Sequence, residues 1–104
     1  MNGRFRLENR REHHVLEFQF RGATYRAGYC FFANGALAEI FLSAGKPNSE
    51  LEIGAHDSAI LASLCLQHGV PLTTIRHALL ATEGGEPAGA LARAIDLIDA
   101  QQYA

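Results

Sequence analysis

A lysine next to a glycine, just ahead of a helix start, can hold an anion, and Gly45-Lys46-Pro47-Asn48-Ser49 has that form. Lys46 is the only lysine in the chain. Lys46, Asn48 and Ser49 are therefore candidate contacts for a phosphate, a nucleotide or a protein partner, and Arg10 and Arg11 near the N-terminus extend the same set. The competing reading is a plain strand-to-helix turn capped by Ser49. The loop is not a P-loop: the upstream glycine would fall at position 40, which is Ile40, and Pro47 stands where the hydroxyl residue belongs.

Other polar groups offer less. His13 and His14 are neighbours on an expected strand and point to opposite faces, which ill suits one shared metal ion. His56 and Asp57, adjacent on an expected helix, do not face each other as an acid–base pair would. Cys30 and Cys65 form no C-x-x-C, which argues against a disulfide scaffold and a structural zinc site. Cys65 reads as core and Cys30 as the more exposed of the two. No Ser-His-Asp or Cys-His set can be assembled from spacing. The expectation is a module with no metal, no cofactor and no catalytic residues of its own.

Residues 61–80 allow a different chemistry. A helix, Gly69-Val70, and then Pro71 to His77 have the outline of a helix-turn-helix, with Thr73, Thr74, Arg76 and His77 facing DNA. One arginine and one histidine are a thin supply for phosphate contacts, so nucleic acid is the alternative rather than the leading partner.

These groups must be positioned by a strand half and a helix half. His14–Phe20 alternates with period two, as a half-buried strand does. Gly22-Ala23 suggests a two-residue II′ turn that sets Phe20 opposite Tyr25 and Phe18 opposite Ala27. Asn34-Gly35 marks a second hairpin, pairing Phe31 with Ala38, Tyr29 with Ile40 and Ala27 with Leu42. Phe32, Leu37 and Phe41 are then expected on the outer sheet face, an apolar patch suited to a homodimer. Ser49-Glu50-Leu51-Glu52 has capping-box spacing, so a helix should run from near Glu50 to His68 and stop at Gly69. Ile53, Ile60, Leu61, Leu64 and His68 share one flank of it. A short helix over Leu72–Leu80 and a third opening at Pro87, with Leu91, Ala94, Ile95 and Ile98 buried, complete the chain. The fold class is α+β: a three-stranded antiparallel meander followed by three helices packed on one face.

With 104 residues, 48% hydrophobic and 19% charged, the chain fits one globular domain. Residues 1–13 form an arginine-containing lead-in, and 14–104 a single domain. Residues 1–26 carry six arginines against three glutamates, while the remainder carries three cations against eight acids. A duplex-binding domain usually shows a clearer basic footprint. No apolar run approaches the ~20 residues of a membrane span, and no signal region opens the chain, so the expected location is the cytoplasm.

Taken in order, Asn34-Gly35, Ala38 to Leu42, Gly45-Lys46, Ser49, Ser63-Leu64, Leu66 to Pro71, Ile75 and Leu79 resemble the TSCPD domain. That domain ends adenosylcobalamin-dependent ribonucleoside-diphosphate reductases and also occurs as short stand-alone bacterial proteins. The likeness covers roughly residues 7–100, and Leu7-Glu8-Asn9-Arg10-Arg11 is similar to the lead-in of the stand-alone members. The Thr-Ser-Cys-Pro-Asp string is absent, as is a terminal cysteine pair, and the length forbids a reductase barrel with its radical and cobalamin site. The resemblance therefore implies a non-catalytic binding or assembly module. Its implied partner is a reductase, another protein or a nucleotide.

Overall fold

The computed structural model describes residues 12–102. It holds β1 (His14–Phe20), β2 (Ala23–Phe31), β3 (Leu37–Ala44), α1 (Glu50–Gln67), α2 (Leu72–Ala78) and α3 (Ala90–Gln102). The sheet is antiparallel in the order β1-β2-β3, so the expected meander and α+β class are observed.

The first hairpin differs in register. Phe20 pairs with Ala23, Phe18 with Tyr25 and Leu16 with Ala27, two residues away from the expected pairing. The loop is Arg21-Gly22, with φ of 49° and 84°. Positive φ at both central residues is the signature of a type I′ turn, whose twist suits the flanking strands. A slip of two keeps every side chain on its face, so apolar alternation alone does not separate the two registers. Phe18 and Tyr25 stack at 5.4 Å, and His14 stacks on Tyr29 at 5.3 Å.

The second hairpin reaches the expected Tyr29–Ile40 and Ala27–Leu42 pairs by another route. Phe32 N–H donates to Ala36 O (2.8 Å), and Gly35 N–H donates to Phe32 O (2.9 Å), so the loop has three residues, with Gly35 at φ 90°. A bulge between Cys30 and Phe31 then pairs Phe31 with Leu37 rather than Ala38. One extra residue in the loop and one in the bulge cancel further along the ladder. The correction falls on Leu37. It joins the core at 5% exposure, leaving Phe41 exposed and Phe32 half-buried.

α1 begins and ends as its sequence indicates. Ser49 Oγ accepts from Glu52 N–H at 3.2 Å. At the far end Gly69 has φ 88°, its N–H bonds Leu66 O, and Val70 N–H bonds Cys65 O, a Schellman stop. The third helix starts later than expected. Pro87 pairs with Ala81 in a small antiparallel bridge closed by Thr82 N–H to Glu86 O, and α3 opens at Ala90.

The core joins Phe18, Tyr25, Tyr29, Ile40 and Leu42 of the sheet to Leu66 of α1, Ile75 of α2, and Ile95 and Ile98 of α3. α1 enters it through Ala55, Ala59 and Ala62. The flank of Ile53, Ile60, Leu61, Leu64 and His68 lies largely outside the core: Ile53 is 45% and Leu61 64% exposed, His68 is exposed, and Ile60 and Leu64 are half-buried. Cys65 is exposed with that flank, while Cys30 is buried, the reverse of the expectation.

Candidate functional site

α1 lies close to β3 because its inner side chains are small and because three polar ones reach the strand. Among the described residues β3 is an edge strand of the three-stranded sheet, with outer backbone groups that no neighbouring strand satisfies. Ser63 Oγ accepts from Ile40 N–H at 2.9 Å and donates to Ile40 O at 2.8 Å. Gln67 Nε2 donates to Ala38 O at 3.3 Å, and Glu52 Oε2 accepts from Ala44 N–H at 2.6 Å. Ser63 and Gln67 are buried, and each replaces part of a missing strand. The sequence signal was two polar residues four apart inside an apolar helix. Pressing the alanine side against the strand turns Ile53 and Leu61 outward and leaves Leu64 half-buried. The outer face of α1 is therefore an apolar candidate site.

The Lys46 loop is built around its cap. Ser49 N–H and Oγ both donate to Lys46 O, at 3.1 and 2.7 Å, and Gly45 and Asn48 adopt φ of 68° and 65°. Ser49 is thus committed to the turn and to Glu52 N–H. Lys46 and Asn48 are exposed. An open concavity of about 350 Å³ lies next to the loop, lined by Thr24, Arg26, Ser43, Gly45 and Glu52, with neither Lys46 nor Asn48 in its wall. Glu52 is held there by Ala44 N–H, and Arg26 pairs with Glu17 at 3.0 Å. The concavity is therefore of mixed sign. Arg10 and Arg11 lie outside the described residues.

The residues of the DNA reading separate. Thr73, Thr74 and His77 are exposed on α2, which has seven residues. Arg76 is engaged elsewhere: Nε and Nη2 donate to the two carboxylate oxygens of Asp96 on α3, at 2.7 and 3.1 Å. That hydrogen bond raises the Arg76 pKa and fastens α2 to α3. His56 Nδ1 lies 3.4 Å from Asp57 Oδ1 at the surface, so these neighbours do touch. Among the described residues no group of three metal-ligating side chains comes together. Among them, too, no helix is long and apolar enough to cross a membrane.

Comparison with family models, with curated proteins and with solved structures finds no match.

Proposed function

We propose that this chain is a small binding or assembly module, working as a homodimer and related to the accessory domain of ribonucleoside-diphosphate reductases. Its partner in this reading is a reductase or another protein of deoxyribonucleotide metabolism, and a nucleotide is the small ligand that Lys46 would hold. One observation carries the binding reading: α1 buries alanines and shows Ile53, Leu61 and part of Leu64 to solvent. Large apolar side chains left exposed on a helix whose inner side is already packed form a surface suited to being covered, with polar residues such as Asp57 and His68 at its margins.

The relation to the reductase appendage rests on the order and spacing of residues from Asn34 to Leu79. Several of them have structural work in this chain. Gly35 closes a hairpin, Ser49 caps α1, Ser63 and Gln67 dress the β3 edge, and Gly69 stops the helix. They support a shared fold more than a shared chemistry.

Affinity capture from the native cell with the wild-type chain, Leu61→Glu and Lys46→Ala tests the proposal. The expected result is a reductase or other deoxyribonucleotide enzyme held by the wild type and lost with Leu61→Glu. Equal retention by all three chains contradicts it.

A further inference from the structure

We infer that the outer face of α1 is an antiparallel self-docking surface, on which a second copy of this chain sits with Leu61 against Leu64 and Asp57 against His68 of the other copy. The inference rests on the reading of α1 as a docking face and adds the occupant and its register.

On the side of α1 away from the sheet, Asp57, Leu61 and His68 are exposed and Leu64 is half-buried, about half a turn from Ala55, Ala59, Ala62 and Leu66 at 100° per residue. Their spacing of four, three and four is that of a helix–helix seam. Along the seam an acid comes first, two leucines follow and an imidazole comes last. A two-fold interface must match the patch to itself, residue i meeting j and j meeting i. Antiparallel pairing about a point between residues 62 and 63 does so at every layer. Leu61 of each copy meets Leu64 of the other, and the flanking layers set each Asp57 carboxylate to accept from a His68 imidazole. The helix dipoles then also oppose each other.

Other arrangements fail on the same residues. Parallel pairing puts Asp57 against Asp57. An antiparallel shift that drops Leu64 over Gly54, where a Cβ would meet nothing within 4 Å, sets the Asp57 carboxylate against Leu61. Asp57 and His68 of one chain are separated by eleven residues, about 16 Å along the helix, so they do not pair within a copy. Asp57 is well exposed, its side chain 68% accessible, and among the described residues its polar contact is the 3.4 Å approach of His56.

A charge exchange read by sedimentation velocity tests this, with circular dichroism confirming that each variant is folded. The wild type is expected to dimerise in the micromolar range, and Leu61→Glu to be a folded monomer. Asp57→Lys and His68→Glu should each raise the dimer dissociation constant at least about tenfold, through loss of the carboxylate–imidazole hydrogen bond in one and two facing acids in the other. The double variant D57K/H68E should restore the wild-type constant. Because the two positions cannot meet within one chain, that rescue reports contact between copies. A double variant as weak as the single ones overturns the register. A wild type that stays monomeric at high micromolar concentration overturns self-docking. In that case the loss of a captured protein with Leu61→Glu shows that the docking reading stands without it.

Discussion

Tyr29 shows how one side chain ties the sheet to the last helix. Its ring packs in the core between His14 and Phe31, and its hydroxyl donates to Gln101 Oε1 at 2.5 Å. Burial raises the phenol pKa above its ordinary value of 10.0 because the phenolate would lose its hydration. A pKa raised in the folded state means that the folded chain resists losing the proton. The stability tied to the neutral phenol is therefore complete below about pH 10, the unfolded value, and falls as pH climbs through the raised one. Tyr29→Phe should remove this alkaline loss, seen as a flatter pH dependence of the urea midpoint above about pH 10. At neutral pH the same change should cost about 1 kcal/mol for the lost hydrogen bond. An unchanged alkaline slope would show that Tyr29 does not carry it.

At the scale of elements, the join between α1 and β3 is the least ordinary feature. A helix usually meets a sheet through large apolar residues, whereas this one brings alanines for close approach and a hydroxyl for the strand's own amide and carbonyl. Ser63→Ala would leave both backbone groups of Ile40 buried without that partner, at an expected cost of about 2–3 kcal/mol in urea denaturation. A cost within about 0.5 kcal/mol, as at an exposed serine, would mean the edge is satisfied some other way. Much at this scale was legible in the sequence. The strand boundaries of β1, the Ser49 cap and the Gly69 stop follow from local chemistry that the residues themselves encode. The first hairpin's register was not legible, because a slip of two exchanges one apolar pair for another. Nor was the Leu37 bulge, since an extra loop residue and an extra strand residue hide each other in the pattern. Pro87 suits the first position of a helix equally well as the end of the small bridge it forms with Ala81.

For the whole molecule, the decisive unreadable fact was which side of α1 faces inward. Ile53, Ile60, Leu61 and Leu64 are the larger residues, and size alone selects them for the core. The opposite choice is made by a non-local requirement: an edge strand some twenty residues earlier needs Ser63 and Gln67, and a helix cannot turn those inward without turning the leucines out. Cys65 is carried to the surface with them. The candidate site was obscure for the same reason. The lysine loop was visible in the sequence, but the apolar docking face emerged only once the alanine side was known to be buried.

The orientation of α1 is tested most directly by a pair of substitutions that exchange size across the helix, Ala59→Leu and Leu61→Ala, compared by urea denaturation at a concentration low enough to keep the chain monomeric. Ala59 is fully buried against the core and Leu61 is 64% exposed. Ala59→Leu should destabilise by about 1–3 kcal/mol or more through overpacking, and Leu61→Ala should stay within about 0.5 kcal/mol of wild type. The reverse order, a tolerated Ala59→Leu with a loss of about 2–5 kcal/mol for Leu61→Ala, would place the leucines in the core and contradict the docking face.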